Sequence, residues 1–160
     1  MAEDYIMRLT RQIAMIIAAI ITRRRAGQID EARQEIETNC QQTIGLTLDA
    51  VKQLSPEALA ELLSQSGANR YYRSLLLAEL LIQDAEMLEA QGAAAGAIFG
   101  YLHTFCLLWD TYPVLSPEEQ AICRPKLNAL AAKLEDLPVN PFTTERVKAY
   151  RMQVPPIPAS

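Results

Sequence analysis

The stretch GAAAGAIFGYLHTFCLLW, Gly92–Trp109, contains no Asp, Glu, Lys or Arg over 18 residues. A run of this length is either a membrane-spanning helix or a helix that other helices surround in a soluble all-helical protein. The interior glycines, the histidine and the threonine, together with the charge-rich segment before the run, favour the second interpretation. Gly92, Gly96 and Gly100 then form a small-residue face that allows close antiparallel packing. We therefore expect this stretch to be a central helix.

The rest of the chain also has the pattern of helices. No window alternates polar and apolar residues over the length of a strand, and Gly, Pro and capping residues divide the chain into helical segments. Ser55-Pro56 and Ser116-Pro117 are helix start signals, and Pro125 is expected to kink or divide the helix that contains it. We predict an all-α protein of about six or seven antiparallel helices. Residues 1–153 form a single domain in this prediction, and residues 154–160 form an extended Pro-rich tail.

Composition restricts the class of function. Of the 160 residues, 50% are hydrophobic and 21% are charged, which is typical of a soluble globular protein. The formal net charge of −4 gives no basic field, so we expect no nucleic-acid partner. Cys40, Cys106 and Cys123 show no CxxC spacing and suit reduced thiols, and the acidic N-terminus does not resemble a signal peptide. We expect a cytoplasmic location.

A second apolar run, IAMIIAAIITRRR at Ile13–Arg25, lies within a predicted helix in which apolar residues recur at steps of three and four. Its uncharged part is shorter than the roughly 20 residues that a bilayer core requires, so we expect no membrane span here. The apolar stripe either fills the core of the chain or joins two copies of it. In the second case, the homodimer contact would involve Ile6, Leu9, Ile13, Ile16 and Ile20.

Two places in the chain share the spacing Gly-x4-Ala-x3-large residue. The two sets are Gly27, Ala32 and Ile36, and Gly92, Ala97 and Tyr101. The glycine allows a tight turn between two helices, the alanine allows their close approach, and the large residue fills the next layer. This pattern resembles the inner turn of a tetratricopeptide repeat. The resemblance implies helical hairpins whose surface leaves a groove for a protein or peptide partner.

The resemblance covers two hairpins, residues 13–44 and 75–109. In the first copy, Arg23 stands where an aromatic residue is usual and Asn39 where a small residue is usual. Separately, DYIMR at Asp4–Arg8, the isoleucine-rich helix and the AGQIDEA segment are together similar to an uncharacterised family of bacterial proteins. That similarity implies a bacterial cytosolic protein and no mechanism.

Few residues have a pattern that indicates chemistry. His103, Cys106 and Asp110 fall on one helical face, where a Cys–His pair could supply a nucleophile and a base. The aromatic and aliphatic residues around them indicate instead a buried, inert thiol and a core histidine. A zinc site requires three or four ligands, and this helix offers only one histidine and one cysteine. We expect no catalytic residue, no metal and no cofactor.

Arg70, Tyr71, Tyr72 and Arg73 lie at the predicted start of a helix, where backbone N–H groups and cationic side chains could hold an anionic group. Together with His103 they are our candidate residues for binding a partner. The function that we predict is a non-enzymatic protein–protein interaction module of the scaffold or adaptor type. The alternatives are a self-associating structural protein and a small-ligand binding protein that uses the His103 and Cys106 face.

Overall fold

The helix that begins just after Gly92 is the centre of the fold. It spans Ala94–Thr111, and every residue from Tyr101 to Leu108 is buried, with exposed fractions of 6% or less. Eight consecutive buried residues complete more than two helical turns, so this part of the helix is covered on every side. The absence of charged residues in the sequence correctly predicted this central position.

The computed structural model describes residues 2–137 and 140–153, and gives the side chains of these residues except for 2–6 and 68. The described residues form eight α-helices and two short 3₁₀ turns, with no strand among them, which confirms the predicted all-α fold. In chain order the helices are α1 (Ala2–Arg25), α2 (Ile29–Ile44), α3 (Leu48–Gln53), α4 (Pro56–Ser64), α5 (Arg70–Ala90), α6 (Ala94–Thr111), α7 (Pro117–Glu135) and α8 (Pro141–Gln153).

The hairpin of α5 and α6 is the largest helix contact, and the other helices pack around it. Helices α1 and α2 contact α5, whereas α7 and α8 contact α6. The short helices α3 and α4 also pack on α6, and α4 reaches α5. Buried apolar residues from all eight helices join in one hydrophobic cluster.

Gly100 sets how closely α5 and α6 approach each other. A Cβ atom at this position would lie 2.9 Å from the Cβ of Ala85 and 3.1 Å from the carbonyl oxygen of Leu81. Both atoms belong to the facing surface of α5, so no flexible side chain can move aside. At Gly96, by contrast, a Cβ would meet only the Leu88 side chain at 3.7 Å, an ordinary van der Waals contact. Of these two glycines, only Gly100 is required by the packing.

The turns before α2 and α6 have the same geometry. Gly27 and Gly92 have φ angles of 78° and 80°, which favour glycine. In each turn the glycine N–H donates to the carbonyl three residues back, and the next N–H donates to the carbonyl five residues back, which is a Schellman motif. Ala32 and Ala97, at the same distance from each glycine, are fully buried. The shared spacing predicted this local geometry; a tetratricopeptide-like arrangement of the hairpins stays a prediction.

The isoleucine stripe of α1 packs in the core of its own chain. Ile13, Ile17 and Ile20 are buried, with exposed fractions of 9%, 8% and 0%. Ile16 packs against the cluster while partly exposed, Leu9 is partly buried, and the side chain of Ile6 lies outside the described set. A homodimer through this stripe stays a prediction, and it would have to displace Ile13 and Ile20 from the core.

Helix α7 runs without interruption past Pro125, so the proline does not divide it. Proline has no N–H, so the carbonyl of Ala121 lacks its usual helical hydrogen bond from residue 125. Both residues are exposed, so water can bond to that carbonyl instead. The helix begins as predicted: the Ser116 side chain accepts from the Glu119 N–H, and the Glu119 carboxylate accepts from the Ser116 N–H. This capping box fixes the start of α7.

Aromatic contacts hold α8 against α6. The Tyr150 ring meets Phe105 and Trp109 edge to face, at centroid distances of 5.7 and 5.3 Å, and the Tyr150 hydroxyl donates to Asn128 of α7.

No helix in the described part of the chain is long and apolar enough to span a membrane. The Pro-rich tail predicted at residues 154–160 lies outside the described residues.

We predict opposite effects of alanine at two glycines of α6. Gly100→Ala should lower the free energy of unfolding by about 1–3 kcal/mol, because its methyl group overlaps α5. Gly96→Ala should raise it by about 0.5–1 kcal/mol, because it removes the helix penalty of glycine without a clash. Urea unfolding followed by circular dichroism measures both. Equal effects at the two positions would contradict the close contact at Gly100.

Candidate functional site

The predicted partner-binding residues at the start of α5 do not lie together in a formed site. Tyr71 is 42% exposed, with the Arg70 guanidinium 5.8 Å from its ring centroid. Arg73 is partly buried and donates a 3.1 Å hydrogen bond to the Ser66 hydroxyl. The adjoining crevice between α4, α5 and α6 has a volume of only about 10 Å³. This end of α5 has one exposed aromatic ring, that of Tyr71, beside two partly buried arginines. Partner binding by these residues stays a prediction.

His103 does not share that surface. Only 1% of the residue is exposed, and it lies beneath the end of α3, close to the backbone of Lys52 and Leu54. Neither ring nitrogen forms a hydrogen bond of normal geometry. Burial lowers the pKa of the imidazole, and the nearby backbone groups of Lys52 and Leu54 offset this only in part. His103 is therefore a neutral core residue, and the structure does not bring it together with Arg70–Arg73.

Cys106 lacks the surroundings of a reactive thiol. It is 3% exposed, its sulfur lies 3.7 Å from the Thr143 hydroxyl, and burial raises its pKa to about 11. Asp110, on the same face, receives a 3.1 Å hydrogen bond from Arg146 of α8. A catalytic cysteine needs a lowered pKa and access to substrate, and Cys106 has neither. The described residues contain no group of three or more His, Cys, Asp or Glu that could hold a metal ion.

The structure instead contains a groove that runs along one face of α5. Its floor is α5 from Leu75 to Ala90 together with the next residue, Gln91. Helix α1 flanks the end near Gln91, α7 flanks the middle, and both helices flank the end near Leu75. We call this depression the α5 groove. Three separate cavities of about 540, 390 and 120 Å³ lie along it. Glu86 lines both the 540 Å³ and the 390 Å³ cavity. An ion pair links the 390 Å³ cavity to the 120 Å³ cavity, since Lys126 lines the former and its partner Glu79 lines the latter. At 1.5 Å per residue the floor is about 24 Å long.

Ion pairs tie the floor of the groove to both walls. Glu79 pairs with Lys126 and Glu89 pairs with Lys133, both on α7, whereas Glu86 accepts a 3.0 Å hydrogen bond from Arg24 of α1. Arg24 also donates to Gln83, which is 5% exposed. These pairs hold the side chains of the floor in place and neutralise its carboxylates.

Tyr101 of α6 reinforces the pair on the α7 side. Its hydroxyl donates a 2.6 Å hydrogen bond to Glu89 Oε2, and the Lys133 ammonium lies 4.6 Å from the Tyr101 ring centroid. The hydrogen bonds from Tyr101 and Lys133 hold the pKa of the Glu89 carboxyl below its usual range. Glu89 therefore stays ionised and fixed at neutral pH.

The end of the groove near Leu75 is apolar. Ile13, Leu108, Leu115 and Ile122 line it together with Leu75. Ile122 is 75% exposed, which is unusual for a large β-branched side chain. It lies off the buried stripe of α7 formed by Leu127, Leu130 and Leu134. An isoleucine off the buried stripe is an irregularity that the sequence shows, and our sequence-based prediction did not use it, but by itself it does not locate a groove.

Comparison of the chain with protein-family models, with curated proteins and with solved structures gives no match. The function of the chain must therefore be inferred from its own geometry, and the two sequence resemblances stay predictions.

We predict that His103 makes stability depend on pH. Its pKa in the folded chain lies below the usual 6.5, so the unfolded chain takes up a proton first as the pH falls. The free energy of unfolding should therefore fall progressively from about pH 6.5 downward. In His103→Leu the free energy of unfolding should stay level between pH 7 and 5, as measured by urea unfolding at each pH. The chain has one histidine, so an unchanged slope in the variant would contradict this account.

We also predict an order of thiol reactivity. Burial raises the pKa of all three thiols, to about 12 for Cys40 and about 11 for Cys106, but only Cys123 is partly exposed, in the α5 groove. Maleimide should label Cys123 first in the native protein, and the other two only after denaturant is added. Mass spectrometry of tryptic peptides, with Cys123→Ser as control, measures the order. Fast native labelling of Cys106 would revive the small-ligand alternative.

Proposed function

We propose that this chain is a non-enzymatic protein–protein interaction module of the scaffold or adaptor type. The α5 groove is its binding surface, and the resemblance of the N-terminal region to a bacterial family implies that it acts in the cytoplasm of a bacterium. One observation supports this proposal above the others: the groove is about 24 Å long, has helices as its floor and walls, and is apolar at one end. Hydrophobic grooves between helices are a recurring mode of peptide and helix recognition.

The chemistry of the chain also favours binding over catalysis. The floor carboxylates Glu79, Glu86 and Glu89 are held in ion pairs, so none of them is a free general base. The two groups best suited to nucleophilic chemistry, His103 and Cys106, are buried away from the groove. Exposed apolar surface beside paired charges is instead the composition of a docking site with a polar rim.

Ile122 is the residue that tests the proposal. Ile122→Glu places a charge in the apolar end of the groove, and the free energy cost of desolvating it should weaken partner binding by at least about 30-fold. The variant should fold normally, because Ile122 is 75% exposed. Met152→Glu is the matched control, since Met152 is 84% exposed and lies on α8, outside the groove.

The measurement is a quantitative pull-down from lysate of the source organism, with the wild type and both variants as bait. A saturable protein partner should be retained by the wild type and by Met152→Glu, and lost with Ile122→Glu. Retention of every partner by Ile122→Glu would contradict the groove as the binding surface. Recovery of the chain alone, with light scattering that shows a dimer, would favour self-association instead.

A further inference from the structure

The two ends of the α5 groove differ in chemistry. Near Leu75, apolar side chains form the lining, with Ile122 projecting from α7. Near Gln91, the lining is mixed: it includes the apolar side chains of Ile21, Ile29 and Met87, and beside them Arg24 and Arg25 of α1. An occupant that fits the whole groove must therefore also have two different ends.

Arg25 is the cation of the lining that has no ion-pair partner among the described residues. The floor carboxylates Glu79, Glu86 and Glu89 are paired with Lys126, Arg24 and Lys133. Arg25 lines the cavity of about 540 Å³ and is exposed, and it forms no ion pair with any residue in the described ranges 2–137 and 140–153. The other charged group of the lining without a cation partner, Glu119, is at the opposite, apolar end, where it is engaged in the capping box of α7. The charged lining residues without an ion-pair partner are thus a carboxylate at the apolar end and a guanidinium at the other end.

The walls also restrict the backbone of an occupant. Floor and walls are helices, whose backbone groups are bonded internally, and the described residues contain no strand edge that an extended peptide could extend. An extended peptide in the groove would lose water from its own N–H and C=O groups without gaining partners. A helix satisfies its backbone by itself, and a groove of about 24 Å accommodates about 16 helical residues.

Building on the proposed function, we infer that the occupant is an amphipathic helix of a partner protein with one apolar and one acidic end. Its apolar side chains, spaced three and four residues apart, cover Ile122 and Leu75. An Asp or Glu at its other end lies over Arg25 and supplies the missing counter-charge. This contact fixes the register of the helix along the groove, because sliding or reversing the helix would separate the acidic group from Arg25.

The test is a selection of 16-residue peptides from a randomised display library on the full-length chain, with the Ile122→Glu variant used to remove peptides that bind elsewhere. Enriched peptides should have apolar residues at helical spacing and an Asp or Glu near one end. Synthetic copies should bind by fluorescence anisotropy and gain helical circular dichroism on binding. Proline-containing or non-helical winners would overturn the inference.

A charge reversal at Arg25 tests the proposed register of the bound helix. Arg25→Glu should weaken the binding of a selected peptide by about three- to tenfold, and replacing the acidic residue of the peptide by Lys should restore binding to that variant. Arg8→Glu, on the exposed part of α1 outside the groove, is the matched charge control and should have no effect. Peptides that depend on Ile122 but ignore Arg25→Glu would overturn the acidic end and leave the proposed function standing. No enriched peptide, or binding insensitive to Ile122→Glu, would overturn both.

Discussion

The close approach of α5 and α6 at Gly100 is the constraint on which the rest of the structure depends. A Cβ atom at position 100 would lie only 2.9 Å from the Ala85 methyl group, so the two helices are in direct backbone-level contact and pack as one unit. Helices α1 and α2 then pack on α5, and α7 and α8 pack on α6. Because α1 and α7 rest on different members of the hairpin, they leave a strip of α5 between them. The groove is thus a consequence of how the central hairpin is covered.

Local features of this fold could be read from the sequence. The uncharged stretch that becomes α6, the glycine turns at Gly27 and Gly92, and the Ser116 cap result from short-range chemistry, and the structure has them where the residues place them. The break considered at Pro125 did not occur, since a solvent-facing carbonyl tolerates the lost donor. Short-range chemistry determines where a helix begins and ends.

The groove could not be read in the same way. Glu79, Glu86 and Glu89 have the spacing of an ordinary solvated face, and periodicity identifies a face without identifying what lies beside it. Their partners Arg24, Lys126 and Lys133 are tens of residues away in the chain. The helix that covers His103 could not be read either, because nothing in its own helix indicates that α3 lies over it. Contacts between segments that are distant in the chain determine both the groove and the burial of His103.

The polar groups of the molecule fall into two sets with different roles. Burial of His103 and Cys106 stabilises their neutral forms, which suppresses reactivity. The ion pairs of the groove are partly exposed, and pairs of that kind contribute little to folding, typically about 0–1 kcal/mol each. The pairs instead affect the shape and charge of the groove: they hold long side chains against the walls, and Arg25 is the cation of the lining that has no such pair.

Ile122 and Arg25 are exposed, so folding imposes little restriction on the residue type at these positions. Substitutions at these two positions can therefore change the surface beside α5 while leaving the packing of the described helices intact.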